Sequence, residues 1–190
     1  MVQVDGRGEP EADMGEEAVR DSGADLTVLR PAWFSQNFSE DYLLEHVLSG
    51  EVALPAGDTP EPFVDADDIA DVAVAALTQN GHVGQVYELT GPRLLTFAEA
   101  VHEIAGATGR EIRYVPISID EHATAAAELG VPGEFIDLLT YLYGEILDGR
   151  NAHLADGVQR ALGRPPRDFA DYARIAAATG VWSPSAVTAR

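Results

Sequence analysis

Apolar residues in this chain follow two alternating patterns. Short continuous runs of β-prone residues predict strands buried on both faces, as in parallel sheets. Between these runs, apolar positions three and four residues apart predict helices that bury one face. The predicted strands are a short one within 1–9 and then 26–29, 52–55, 85–89 and 112–117.

Capping residues fix where several helices begin. Asp65 precedes a helical apolar stripe, and Thr96 with Glu99 forms a capping box before a second helix that Gly109 closes. Beyond residue 118 the pattern is helical throughout. The helices predicted in this last part are about 119–129, 133–148, 155–162 and 168–179.

Strands that alternate with helices of this length indicate an α/β fold with parallel pairing. We expect one domain over 1–190, with a small parallel sheet and flanking helices in 1–117 and an added helical layer in 118–190. The sheet has three clear strands and two marginal ones, fewer than a doubly wound sheet usually contains.

Composition narrows the possible chemistry. The net charge of −20 disfavours nucleic acid and anionic membranes as partners, and no apolar stretch approaches the length of a membrane helix, so we expect a cytoplasmic protein. All twelve basic residues are arginine, which excludes lysine chemistry. Cysteine is absent, and the five histidines lack metal-ligand spacing, so no metal site is expected.

Several strings occur in an order that resembles the NmrA-like atypical short-chain dehydrogenases/reductases. They lie at 16–23, 26–31, 54–57, 62–70, 87–92 and 96–100. The resemblance implies a truncated Rossmann-like sheet followed by a helical substrate-binding layer. It also implies a glycine-rich turn and a helix N-terminus for the dinucleotide, in a segment before these strings.

The only Gly-x-Gly does not match that dinucleotide fingerprint. Gly6 and Gly8 are followed by Glu11, where the third glycine belongs, and by further carboxylates. Residues 10–22 also lack the tyrosine, histidine or lysine that relatives often use for proton transfer. We therefore assign no cofactor-binding residue and expect no cofactor.

If the sheet follows the family, the segment after strand 26–29 leaves the sheet at the edge where such folds place ligands. The predicted substrate-binding residues are Trp33, Phe34, Gln36, Asn37, Phe38, Phe63 and Tyr141. The alternative is that the aromatic residues fill the core. Asp65, in an apolar setting, is the candidate general base, although helix capping is the better explanation for at least two of Asp65, Asp67 and Asp68.

Three functions are compatible with these patterns. The main prediction is a protein that binds a small apolar or aromatic metabolite, or a cofactor-independent isomerase or cyclase. One alternative is part of an NAD(P)H-dependent oxidoreductase whose nucleotide-binding half is missing or supplied by a partner, and another is a non-catalytic regulatory protein. The exposed sheet edge also predicts a homodimer or larger homo-oligomer.

Overall fold

The structure is a computed structural model that describes residues 1–183, and residues 10–13 by their backbone alone. The strands are β1 (Val2–Val4), β2 (Thr27–Pro31), β3 (Glu51–Leu54), β4 (Val86–Leu89) and β5 (Arg113–Pro116). The α-helices are α1 (Pro10–Asp21), α2 (Leu44–Ser49), α3 (Ala66–Thr78), α4 (Phe97–Thr108), α5 (Ile119–Glu128), α6 (Gly133–Tyr141), α7 (Gly157–Leu162) and α8 (Phe169–Thr179). A 3-10 turn spans Ser35–Phe38, and α6 continues as a π-helix over Leu142–Ile146.

The chain forms two compact units that interleave along the sequence. Unit 1 comprises Met1–Ser35, Glu61–Leu94 and Arg150–Phe169, and unit 2 comprises Gln36–Pro60, Leu95–Gly149 and Ala170–Arg190. The sequence instead divided the chain at residue 117, and this domain assignment stays a prediction.

Unit 1 contains a parallel sheet in the order β1-β2-β4, in which Leu29 of β2 pairs with Val4 and with Tyr87. Helices α3 and α7 contact this sheet and each other. Their apolar faces meet the strands in a buried core. It comprises Leu29, Ala32, Val64, Ile69, Val72, Tyr87, Leu89 and Val158.

Unit 2 contains a second parallel pair, β3 with β5, in which Val52 faces Tyr114. Helices α2, α4 and α5 contact these strands. Phe97 of α4 lies in the core, with its ring 6.1 Å from Phe38 and 6.2 Å from Tyr143.

The caps form as the sequence predicts. Thr96 and Glu99 make both bonds of the capping box on α4, and Asp65 accepts a hydrogen bond from the backbone N–H of Asp67 at the start of α3. These local interactions explain why both helices begin where they were expected, because a cap needs only neighbours in sequence.

The predicted α/β fold with small parallel sheets and flanking helices is confirmed. One difference lies in strand pairing, since β3 and β5 form a sheet of their own within the described residues. A second lies in the helix predicted over 133–148, which is α-helical only to Tyr141. The periodicity of apolar residues does not show which strands pair or where a helix widens to π geometry. None of the helices described is both long enough and apolar enough to span a bilayer.

Candidate active-site edge of unit 1

Polar groups collect at the carboxyl ends of the three strands of unit 1. The loop Asp5 to Gly8 follows β1, Arg30 lies near the end of β2, and Glu88 lies near the end of β4. Open α/β sheets bind their ligands at this edge. It is therefore the part of unit 1 in which a functional site is expected.

Arg7 is the centre of this group, and it is only 5% exposed. Its Nε donates to Glu88 Oε2 at 3.1 Å, and its Nη1 donates to the backbone oxygens of Asn151 and His153 at 3.0 and 3.2 Å. These bonds join the loop after β1 to strand β4 and to the segment at 151–153. A buried guanidinium needs such partners, because an unpaired buried charge is very costly.

Gly8 makes this connection possible. Its φ is +76°, and a Cβ built there would lie 2.7 Å from Asn151 Oδ1, so a larger residue meets both strain and overlap. Asn151 Nδ2 donates to the backbone oxygen of Arg7 at 3.0 Å. The Gly6-Arg7-Gly8 turn is thus filled by protein side chains, and it does not fit the pyrophosphate of a dinucleotide.

Arg30 is held from the other side by Glu16 of α1. Arg30 Nε and Nη2 donate to the two Glu16 oxygens at 2.7 and 2.8 Å, and Arg20 adds a bond of 2.9 Å. The Glu16 side chain is completely buried. The hydrogen bonds from Arg30 above all hold the pKa of this carboxyl below its usual range.

A cavity of about 220 Å³ opens beside the loop. Its walls include Arg7, Arg30, Glu88, Arg150, Asn151 and His153. Arg150 is exposed, and the His153 side chain is 58% exposed, so both are accessible to a ligand.

Glu61 is a further buried group of unit 1, and the sequence analysis missed it. Its side chain is completely buried, and neither carboxylate oxygen has a hydrogen-bond partner among the described residues. Burial raises its pKa from 4.5 to about 7, and the positive charge of Arg7 opposes this rise. The only sequence signal was a carboxylate two residues before the apolar pair Phe63-Val64, with Pro62 between them.

Asp65, the predicted general base, is also buried, at 1% exposure. Its Oδ1 caps α3, and its Oδ2 accepts from Arg167 Nη1 at 2.6 Å. Both carboxylate oxygens therefore already have structural partners, the N-terminus of α3 and Arg167, which agrees with the capping interpretation. A catalytic role for Asp65 stays a prediction.

The predicted substrate-binding residues divide between the two units. Trp33, Phe34 and Phe63 belong to unit 1, whereas Gln36, Asn37, Phe38 and Tyr141 belong to unit 2. In unit 1, Phe63 is buried against Phe169, with 5.5 Å between ring centroids, while Phe34 is 38% exposed and Trp33 is half-buried.

In unit 2, Phe38 is completely buried and packs in the core, as the core interpretation expects. Gln36, Asn37 and Tyr141 are half-buried. The role of the seven residues in substrate binding is untested and stays a prediction.

Unit 2 holds a second buried polar group around Tyr143. Its hydroxyl lies 3.0 Å from that of Tyr42, and its ring packs edge-on against His122 at 5.5 Å. Burial raises the pKa of both tyrosines and lowers that of His122. The two hydroxyls therefore stay protonated at neutral pH, and the group has the features of a packed core rather than of an open site.

Known proteins resemble this chain in sequence and in fold. An NAD(P)H azoreductase of Xenophilus azovorans is 36% identical over 163 residues, which are 86% of this chain and 57% of the azoreductase. An NADPH-dependent quinone oxidoreductase of Escherichia coli, solved with NADPH, superposes with a TM-score of 0.77 at 23% identity, over 90% of this chain and 64% of that one. NmrA, a negative transcriptional regulator, superposes with a TM-score of 0.61 at 16% identity, over 91% and 63%. No family model matches the chain.

These likenesses confirm the resemblance that the sequence strings predicted. The chain belongs to the NmrA-like atypical short-chain dehydrogenase/reductase family. It spans little more than half of the length of the curated NmrA-like relatives that it matches.

The main functional prediction, a cofactor-independent isomerase, cyclase or metabolite-binding protein, is wrong. Curated relatives named as an NAD(P)H azoreductase, an oxidoreductase and a reductase favour the alternative of a nicotinamide oxidoreductase. That prediction equated the unmatched glycine fingerprint with the loss of redox function. In such a fold, however, the residues that bind the nucleotide and the residues that bind the substrate lie in different parts of the polypeptide.

Proposed function

We propose that the protein is an NAD(P)H-dependent oxidoreductase in which residues 1–190 supply the later, substrate-side part of the fold. The azoreductase at 36% identity is the main support. The turn at Gly6 to Gly8 does not fit a pyrophosphate. The proposal therefore places the nucleotide-binding residues in polypeptide other than residues 1–190, on the same chain or on a partner.

The open side of β1 is where that polypeptide would join. Along a strand of a parallel sheet, the backbone N–H and C=O groups of successive residues point to opposite sides. The bonds from Asp5 N to Leu29 O and from Thr27 N to Met1 O show that the groups of Met1 and Asp5 face β2. The N–H and C=O groups of Val2 and Val4 therefore point away from β2. Within the described residues no strand pairs with this side. A strand of a nucleotide-binding part would satisfy these backbone groups and extend the sheet.

The electron acceptor is proposed to be a small aromatic or apolar molecule. Trp33 and Phe34, which are partly exposed in unit 1, offer flat apolar surface for it. Reduction of such an acceptor takes a hydride from NAD(P)H and a proton from a nearby acid or from water.

The test is NADPH oxidation by two preparations, residues 1–190 and the product of the whole open reading frame that contains them. An azo dye and a quinone serve as acceptors, and loss of NADPH absorbance is followed. We expect oxidation by the product of the whole frame, either alone or after its partner is added. If neither NADPH nor NADH is oxidised with either acceptor when the protein is supplied with the nucleotide-binding half of the azoreductase, the proposal fails.

Self-association through the same edge is a second proposal, since a second copy can also pair with β1. Both occupants would use the backbone of Val2 and Val4. A nucleotide-binding part that covers β1 would therefore prevent this mode of association.

A further inference from the structure

His153 is the exposed histidine of unit 1, and it lines the cavity beside the Gly6 to Gly8 loop. Its side chain is 58% exposed. The other histidine of unit 1, His82, is buried, and its Nδ1 lies 2.9 Å from the hydroxyl of Tyr87. Of the two imidazoles of this unit, that of His153 is therefore the one available to a ligand.

The charged groups around this cavity are mixed in sign. Those in its walls and in the adjoining loop are Asp5, Arg7, Glu9, Arg30, Glu88 and Arg150. Arg7 pairs with Glu88. Arg30 pairs with the buried Glu16, and the other three groups have interactions of their own. What sets the cavity apart is His153, because arginine keeps its protons at any ordinary pH, whereas an imidazole can hold a proton and release it.

The backbone of His153 is fixed by two hydrogen bonds. Its N–H donates to the backbone oxygen of Asn151 at 2.7 Å, and its own oxygen accepts from Arg7 Nη1 at 3.2 Å. Because Arg7 is buried, the second bond ties an exposed histidine to the interior of unit 1. Side chains that transfer protons need such support, since a small displacement of the reacting groups slows the reaction.

Glu88 lies beside the imidazole ring. Its Oε2 is 3.8 Å from His153 Nε2, and the same oxygen accepts a hydrogen bond from Arg7 Nε at 3.1 Å. Arg7 thus holds the carboxylate, and the carboxylate faces the ring. A carboxylate next to a histidine orients the ring, as in the histidine–aspartate pairs of hydrolases. With Nε2 towards Glu88, the Nδ1–H is left as the donor to a ligand.

A structural role accounts for the backbone bonds of His153 but not for its side chain. The distance of 3.8 Å to Glu88 is longer than a hydrogen bond, and exposed pairs of this kind contribute little to stability. Histidine is also the side chain that most often acts as a general acid. The exposed imidazole is therefore better explained by chemistry at the cavity than by folding.

The position and size of the cavity limit what meets this imidazole. Open α/β sheets bind ligands at the carboxyl ends of their strands, where this cavity lies. Its volume is about 220 Å³. Pockets for drug-sized molecules are roughly 300–1,000 Å³, so the cavity admits the reducible end of an electron acceptor rather than a whole dye.

We propose that His153 is the general acid that gives the proton to the electron acceptor, with Glu88 and Arg7 as positioning residues. In an azo acceptor, the hydride of NAD(P)H adds to one nitrogen, and the π electron pair of the N=N bond takes the Nδ1 proton of the imidazolium onto the other. The products are the hydrazo compound, NAD(P)⁺ and neutral imidazole, which solvent protonates again. This role rests on the proposed function, because the hydride comes from the nicotinamide.

The first test measures single-turnover reduction of an azo dye by the product of the whole open reading frame, with its partner where one is needed. We expect His153→Gln to slow this step roughly 100-fold, since general-acid catalysis is lost, and to leave the KM for NADPH unchanged. Imidazole added to His153→Gly should restore part of the rate. His102→Gln is the matched control, because His102 is an exposed histidine of unit 2.

A rate that is the same in His153→Gln and in an active wild-type protein would overturn the role of His153 and leave the proposed function standing. A wild-type protein that oxidises no NADPH would remove both. The second test needs no nicotinamide: residues 1–190 are titrated with the same dye, and the ring signals of the histidines are followed by NMR. We expect shifts at His153 and none at His102, and an unshifted His153 ring would overturn the inference whatever the activity.

Discussion

Individual residues at the carboxyl edge of unit 1 show how much a side chain depends on partners far along the chain. Arg7 is the middle residue of a glycine turn, and in sequence it is only the variable position of a weak motif. Its partners at Glu88, Asn151 and His153 lie 81 to 146 residues away. The sequence identified the turn, but it did not identify the buried guanidinium.

The buried carboxyl group of Glu61 should make the free energy of unfolding depend on pH. Its folded-state pKa is about 7, against 4.5 when it is exposed, so folding favours the protonated form. Below about pH 4.5 this carboxyl is protonated in both the folded and the unfolded state, and it does not lower the free energy of unfolding. As pH rises from 4.5 towards 7, the unfolded state ionises first and the free energy of unfolding falls. Replacement Glu61→Gln should remove this loss, which amounts to about 3 kcal/mol.

Urea unfolding of wild-type protein and Glu61→Gln at pH 5 and pH 8 measures the effect. We expect the variant to gain in free energy of unfolding relative to the wild type as pH increases. A difference between the two proteins that is the same at both pH values would contradict the raised pKa of Glu61. Because only the difference is used, the other titrating groups of this acidic chain cancel.

Helices and strands were largely predictable because their signals are local. The boundaries of α3, α4 and α5 follow from Asp65, Thr96 and Ser118, whose side chains bond to backbone groups two or three residues away. The end of α6 was missed, because the apolar stripe continues past Tyr141 through the π-helix. A periodic pattern marks a helical face, whereas the change to π geometry depends on packing.

Asp65 is expected to stabilise the start of α3 through its two interactions. Asp65→Ala removes the cap of α3 and the partner of Arg167, so we expect a loss of about 2–4 kcal/mol in the free energy of unfolding. Ser118→Ala, which removes the exposed cap of α5, is the matched control and should cost about 1 kcal/mol.

Asp65→Asn separates the two contributions, since it keeps the cap acceptor and removes the charge. Chemical denaturation of the three variants measures these differences. Equal losses for Asp65→Ala and Ser118→Ala would show that the pair with Arg167 contributes nothing. Asp65→Asn with full stability but no NADPH oxidation in the assay of the proposed function would instead support the predicted catalytic role.

At the scale of the whole molecule, the open side of β1 is the feature with the clearest consequence. Met1 is 56% exposed and Val4 is 50% exposed beside backbone groups that no described strand pairs. Edges of this kind attract further strands. The carboxyl edge of the same sheet carries the cavity beside Arg7, so a partner strand at β1 would lie close to it.

We predict that residues 1–190 alone self-associate and that Val4→Lys shifts the protein towards the monomer, because a charged residue blunts an edge strand. Val74→Lys is the matched control, since Val74 is 59% exposed on α3 rather than on the sheet edge. Sedimentation velocity over a concentration series measures the distribution. A wild-type protein that is monomeric at every concentration would contradict the prediction.

Periodicity and strings of neighbouring residues were enough to predict the fold class, most helices and strands, the caps and the family. These local patterns did not predict the pairing of β3 with β5, the division into two units, the burial of Glu61 or the cavity around Arg7. Each of these joins segments far apart in the chain, as when Asn151 bonds to Arg7 across 144 residues. Such contacts depend on how the whole chain packs, because local propensity carries no information on which distant segments meet.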